Sequence, residues 1–210
     1  MAEQVEEQFA DLGQQHEADR MGMWAFLATE VMLFGGLFMT ILVYRVLFPD
    51  VVKEAAGHLN MWLGGLNTAV LLTSSLTMAL AVHAARHGRR RRVLQMLAAT
   101  AGLGTAFLGI KLYEYYREYH EGLMPAAGPP FPIAADGAEL YFNVYFAATG
   151  LHALHLTLGI LTVCVIAGGF ARRRLRAPDS HMTVELTGMY WHLVDVVWVF
   201  LYPVLYLVGR

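Results

Sequence analysis

The 210-residue chain reads as an all-α integral membrane protein, a bundle of five transmembrane helices. Three observations carry that reading. Hydrophobic residues make up 57% of the chain and charged ones only 15%, where a soluble domain holds about 25% charged residues. Mean hydropathy is +0.45. Five stretches, roughly 21–47, 60–86, 93–119, 139–170 and 184–208, each supply the ~20 mostly apolar residues a helix needs to cross a hydrocarbon core. Barrel strands would give segments of about ten residues with alternating polarity, and none occur. The shortage of charge excludes a disordered chain. A formal net charge of −2 offers no general affinity for nucleic acid. Cys164, the single cysteine, forbids an intramolecular disulfide and a cysteine-built metal site.

Residues 1–20 form an acidic tail, with Glu3, Glu6, Glu7, Asp11, Glu17 and Asp19, and residues 21–210 a single membrane domain. The tail lacks the basic flank and small-residue cleavage site of a signal peptide; its spacing permits a short surface helix or a solvated flexible segment. After the first span, residues 48–59 read as a turn, with Pro49, Asp50 and Gly57. A clipped basic turn, residues 87–92, separates the second span from the third. Residues 120–138 carry Pro125, Gly128, Pro129, Pro130, Pro132 and Gly137, too many breakers for a helix. The fourth span has 32 residues, or ~48 Å of helix, so it must tilt or protrude. Residues 171–183 hold four arginines, then Pro178 and Asp179, ahead of the fifth span.

Orientation follows from Lys and Arg beside the spans. The end bearing the N-terminus holds ten of them: Arg20, Arg86, Arg89 to Arg92, Arg172, Arg173, Arg174 and Arg176. The opposite end holds four, Arg45, Lys53, Arg117 and Arg210, and Lys111 lies within a span. The expectation is N-terminus cytoplasmic, C-terminus outside, in a multi-pass protein.

Charge at the bilayer centre costs about 2.5–3.5 kcal/mol on insertion scales, so polar residues within spans mark function or assembly. Glu30 sits nine residues into the first span, ~13 Å deep, with no cation within four residues of it in sequence. It is expected to stay neutral unless another helix supplies a partner, and either packing or function accounts for it. His152 and His155, at i and i+3 on one face, invite a metal reading. No third ligand has recognisable spacing, and one helix cannot supply both axial ligands of a heme, so interhelical hydrogen bonding is the expected role. His192 and Asp195 form a similar pair in the fifth span, with Asp195 reaching His192 on its own helix face; Trp191 and Trp198 flank that face, which should contact protein. Lys111 and Glu114 are expected to be an i, i+3 ion pair that snorkels toward the span end. Asn67 and Glu185 complete the polar candidates. Gly35, Gly36, Gly64, Gly65, Gly102, Gly109, Gly150 and Gly159 suggest close helix approaches. Arg172, Arg173, Arg174 and Arg176, followed by His181, are expected to bind acidic lipid at about 1 kcal/mol per charge. No phosphate loop, Ser-His-Asp arrangement or zincin motif occurs, so no self-contained catalytic site is expected.

Residues 190–198, Tyr-Trp-His-Leu-Val-Asp-Val-Val-Trp, closely resemble the terminal-helix signature of cytochrome c oxidase subunit III. The other spans agree in order: the run around Glu30 resembles that family's buried-glutamate helix, and residues 66–72, Leu-Asn-Thr-Ala-Val-Leu-Leu, the start of its next helix. Glu114-Tyr115-Tyr116 is similar to the end of the one after, and residues 148–155 to its His-x-x-His helix. The resemblance spans roughly residues 20–208. It implies a short, five-helix bacterial form, without the two helices that precede these in the long form, whether supplied by a subunit I extension or absent. It further implies a non-redox subunit that packs on subunit I, shares a complex with subunit II, binds phospholipid and supports proton uptake and durability in turnover. Hemes and copper belong to subunits I and II, with cytochrome c the donor to the complex and not to this chain. A quinol oxidase subunit III and a subunit-III-like protein of nitric oxide reduction are rival readings within the superfamily. Outside it stand a proton-coupled transporter, for which no repeats or interrupted helices are evident, and a histidine-ligated membrane cytochrome.

Overall fold

A computed structural model describes residues 8–124, 137–175, 177 and 180–207. Six helices occur in it: α1 Leu12–Leu47, α2 Pro49–His58, α3 Met61–Arg86, α4 Arg90–His120, α5 Ala138–Ala171 and α6 His181–Tyr202, which ends in a π-helical turn, Pro203–Leu207. All but α2 are long and apolar enough to cross a membrane. The helices alternate in direction, so one end of the bundle gathers the start of α1, the α3–α4 turn, the end of α5 and the start of α6. The other end carries α2, the end of α4, the start of α5 and the π turn.

The boundaries have local causes. The Asp11 carboxylate caps α1 by accepting from Gln14 N at 2.8 Å, so the helix begins inside what the sequence reads as tail; Glu3, Glu6 and Glu7 lie outside the described residues. The expected turn at 48–59 is α2 instead. Pro49 stands in its first turn, where no N–H is needed, Asp50 favours the N-terminal dipole, and Gly57 is near its end. Asn60 caps α3, its Oδ1 accepting from Trp62 N and Leu63 N. At the α3–α4 junction Gly88 takes φ +69° and Arg89 N donates to the Ala84 carbonyl at 2.9 Å, a tight C-terminal closure. Arg90, which the sequence places in the turn, opens α4. Its Nε donates to the Phe170 carbonyl at 2.8 Å and its Nη2 to the Ala171 carbonyl at 3.0 Å, capping the negative end of α5. Arg176, Pro178 and Asp179 lie outside the described residues.

The core sits among α3, α4, α5 and α6. On α4 the buried positions are 93, 97, 100, 104, 107, 111, 114 and 118, the 3–4 spacing of one helix face. Trp191 and Trp198 of α6 are completely buried. Their indole N–H groups donate to Ser74 Oγ and Thr68 Oγ1 of α3, both at 3.1 Å. Thr77 and Thr100 join α3 to α4 at 2.7 Å, and Tyr115 and Thr149 join α4 to α5 at 2.6 Å. α1 lies at the edge against α5 and α6, and presents Trp24, Val31, Met32, Met39 and Val46 outward. Its far end is latched where the Tyr44 hydroxyl donates to the Gly137 carbonyl. Gly137 has φ +98°, and a Cβ there would strike that hydroxyl, so backbone and contact both demand glycine.

Of the glycines expected at close approaches, Gly64, Gly65 and Gly159 meet aromatic side chains, whereas Gly35, Gly36, Gly102, Gly109 and Gly150 have open space beside them. The tightest glycine seat on α4 is Gly104, on the buried face that Gly102 misses: a Cβ there would lie 2.8 Å from the Trp191 ring and 3.1 Å from Ile160. Gly104→Ala should therefore lower unfolding stability in detergent by about 1–3 kcal/mol, the cost of overpacking. Gly102→Ala should be neutral or stabilising by up to about 1 kcal/mol, because it only improves helix propensity. Denaturant midpoints followed by tryptophan fluorescence would distinguish them; equal values would contradict the close α4–α6 approach.

Candidate functional site

Three polar clusters interrupt the apolar interior. In the first, α5 supplies the partner that Glu30 lacks in sequence: Glu30 Oε2 lies 2.8 Å from His155 Nε2, with both side chains largely buried. The His155 Nδ1 hydrogen donates to the Leu151 carbonyl at 2.8 Å, so a neutral ring turns a lone pair, not a hydrogen, toward Glu30. The Glu30–His155 contact is short but lacks hydrogen-bond alignment, so it is a close polar contact rather than a directed bond. The Phe34 ring meets the imidazole edge-on at 5.2 Å, and the Tyr190 hydroxyl donates to the His155 carbonyl at 2.9 Å.

The second cluster differs from expectation. His152 does not bond to a neighbouring helix. Neither ring nitrogen has a hydrogen-bond partner among the described residues, and the imidazole is wedged between Trp198 at 5.2 Å and Phe107 at 5.6 Å. His192 and Asp195 do not pair either. His192 Nδ1 lies 2.7 Å from Ser75 Oγ on α3, the same hydroxyl that Asp195 faces, though neither carboxylate oxygen makes an aligned hydrogen bond among the described residues. Asn67, fully buried, is likewise without a side-chain partner there. Asp195 does face protein, at 3% exposure.

The third cluster surrounds Lys111, which is 2% exposed and does not snorkel. Its ammonium has three hydrogens and three acceptors: Glu114 Oε2 at 2.8 Å, Tyr145 OH at 2.8 Å and Tyr206 OH at 2.7 Å. The Tyr206 hydroxyl donates to Glu114 Oε1 at 2.8 Å and the Tyr145 hydroxyl to Glu118 Oε1 at 2.7 Å. Three elements, α4, α5 and the π turn, are thus tied by one charged knot. Glu118, Tyr145 and Tyr206 were missed in the sequence. Glu118 had a usable signal, since 111, 114 and 118 share a helix face; the tyrosines come from distant segments and had none.

At the N-terminal end, Arg86 Nη2 lies 2.6 Å from Glu185 Oε2. His16, Arg20, Arg86, His181 and Glu185 line one polar pocket. His181 thus joins Arg20 and Arg86, while Arg172, Arg173 and Arg174 are exposed.

A family model described as cytochrome c oxidase subunit III matches residues 13–210. The chain belongs to the cytochrome c oxidase subunit III family. Among its relatives, the quinol oxidase subunit 3 of Bacillus subtilis is 31% identical over 194 residues, covering 90% of this chain and 86% of that protein. The cytochrome c oxidase subunit 3 of Synechocystis is 31% identical over 186 residues, covering 89% and 74%. That of Branchiostoma lanceolatum is 34% identical over 197 residues, covering 89% and 68%. The family comprises subunit III of heme-copper oxidases, and this member is an all-helical membrane protein of that kind.

Because the Lys111 knot is buried, removing the ammonium leaves carboxylates without their cation. Lys111→Met should cost about 3–5 kcal/mol, whereas Arg117→Ala, which breaks the exposed Arg117–Glu121 pair, should cost at most about 1 kcal/mol. Thermal unfolding in detergent would check this; comparable losses would show that the knot is not a stabilising element.

Proposed function

We propose that this chain is the accessory, non-redox subunit III of a proton-pumping heme-copper terminal oxidase in a bacterial plasma membrane, with its N-terminus cytoplasmic. It packs on subunit I, shares the complex with subunit II, carries phospholipid, and supports proton uptake and sustained turnover. Hemes and copper reside in subunits I and II, and cytochrome c donates electrons to the complex. Family membership supports the assignment. One observation carries the accessory role: His152, His155 and His192 each meet a different neighbour and do not converge on a common point. His155 has both ring nitrogens occupied, His192 faces Ser75, and His152 is enclosed by Trp198 and Phe107. Among the described residues no group of three His, Cys, Asp or Glu side chains is gathered as a metal would need.

Quinol as donor is the second reading: the quinol oxidase subunit 3 of Bacillus subtilis is as similar to this chain, at 31% identity, as the cytochrome c oxidase subunit 3 of Synechocystis, and it is covered over more of its length, 86% against 74%. Purification in mild detergent should bring down heme- and copper-bearing polypeptides with this chain, and the complex should oxidise reduced cytochrome c in preference to a quinol. A Soret band in the isolated chain, or co-purification without any redox protein, would overturn the proposal.

Phospholipid is assigned to the flank of α1. A groove of about 650 Å³ between α1 and α6 is lined by Trp24, Leu27, Val31, Met189 and Val196, wide enough for an acyl chain. One helical turn toward the N-terminal end lies the pocket of His16, Arg20, Arg86, His181 and Glu185, where Arg86 is paired with Glu185 and the basic groups still outnumber that one carboxylate beside an acidic headgroup. Neutralising Arg20 and Arg86 together should reduce lipid retained per complex in mass spectrometry; unchanged lipid content would remove this site.

Glu30→Gln tests the Glu30–His155 contact. Glutamine keeps shape and hydrogen-bonding capacity, so initial turnover should be near normal and durability modestly reduced. Glu30→Ala should be worse, because it leaves a void and strips His155 of its partner. Immediate loss of oxygen reduction with every subunit and heme in place would show that Glu30 is not accessory.

A further inference from the structure

We propose that Glu118 is the seat of one exchangeable proton, delivered by a single water from the aqueous phase at the α2 end of the bundle. The argument begins with hydrogens. The three on Lys111 and the one on each of Tyr145 and Tyr206 fill five acceptors: Glu114 Oε1 and Oε2, both phenol oxygens, and Glu118 Oε1. Glu118 Oε2 is left over. It is buried, with no hydrogen-bond partner among the described residues, in a residue that is 4% exposed. An unsatisfied carboxylate oxygen at such depth is costly.

Charge points the same way. Lys111, Glu114 and Glu118 are all buried and together carry one excess negative charge, while the exposed Arg117–Glu121 pair is neutral. A single proton on Glu118 makes the knot neutral without disturbing any of the five bonds.

The route is a small pocket, about 10 Å³, lined by Asn60, Glu114, Arg117, Glu118 and Glu121. That is room for about one water. Arg117 and Glu121 reach solvent, and Asn60 uses its Oδ1 to cap α3, which leaves its amide N–H groups for the pocket. In the step itself, hydronium at the mouth transfers a proton to the Glu118 carboxylate and becomes water; the new O–H then donates to that water. The charged and titratable groups facing Glu118 are Lys111, Glu114, Tyr115, Arg117 and Glu121 from α4, Tyr145 from α5 and Tyr206 from the π turn. The Arg117 guanidinium at the mouth opposes a metal cation there.

Infrared difference spectroscopy on the complex containing the full chain tests this. Lowering the pH should raise a carboxylic-acid C=O band that shifts in D2O. Glu118→Gln should abolish it, and Glu54→Gln, at an exposed α2 carboxylate outside the pocket, and exchange of sodium for choline should leave it unchanged. Glu118→Asp, with the carboxyl retained but withdrawn by one methylene, should shift the band and serves if Glu118→Gln does not fold. In wild-type vesicles with pH stepped on one face, the band should follow the α2 face. The proposal is overturned by a band that survives Glu118→Gln, by the absence of any Glu118-dependent band, by a band that follows the opposite face, or by one that sodium removes at constant pH. The last result would make this a cation site.

Discussion

A lysine ammonium in the interior of a membrane helix bundle must find three oxygen acceptors or not be there. Lys111 finds them on three separate elements, and that requirement organises one end of the molecule. Glu114 comes from its own helix, Tyr145 from α5 and Tyr206 from the π turn beyond α6. The rings of Tyr115, Tyr145, Trp198 and Tyr206 stand about 5–6 Å from the ammonium, so the charge is held by aromatic faces as well as by oxygen. The register of α4 against α5 and the placement of the chain after Pro203 are both set there.

Away from that knot, the bundle is joined by neutral hydrogen bonds and by close fit. The two indoles of α6 are at once the largest side chains in the core and donors to α3. Trp191 needs backbone clearance on two facing helices, and Gly104 of α4 and Gly159 of α5 supply it. In lipid, where apolar surface offers little preference between a neighbouring helix and an acyl chain, such packing and hydrogen bonds set which helices associate. α1 has less of either. It is held by the Glu30–His155 contact in its middle and the Tyr44–Gly137 latch at its far end, and leaves grooves on its flank. Its looser seating and its exposed apolar face belong together.

Much of the fold was legible in the sequence because span length and apolarity are local properties. All five spans and the basic turn after α3 emerge from it; α2 was hidden because Pro49 and Gly57 read as breakers when they stand near the ends of a short helix, and the Pro125 to Pro132 stretch lies outside the described residues. Pairing between helices was much less legible. Spacing correctly brought Lys111 to Glu114, but it also suggested His192 with Asp195, and there Ser75 of α3 takes the imidazole. The partner of Glu30 lies 125 residues further along the chain, beyond any periodic signal. Glycines were recognisable as small residues, but which of them face an indole depends on helix rotation, and Gly102 and Gly104 differ in little else.

Arg90 acts at two stages in the life of the chain. While the polypeptide is being inserted, the turn that carries Arg90 emerges long before α5 exists, so its charge is free to help retain that turn on one side of the bilayer. Once α5 has been made and docked, the same guanidinium closes the last carbonyls of that helix. A topogenic signal thus becomes a structural cap, and the order of synthesis keeps the two duties from competing. Replacing it by another cation would preserve the first duty more readily than the second, since only a planar fork donates to two successive carbonyls at once.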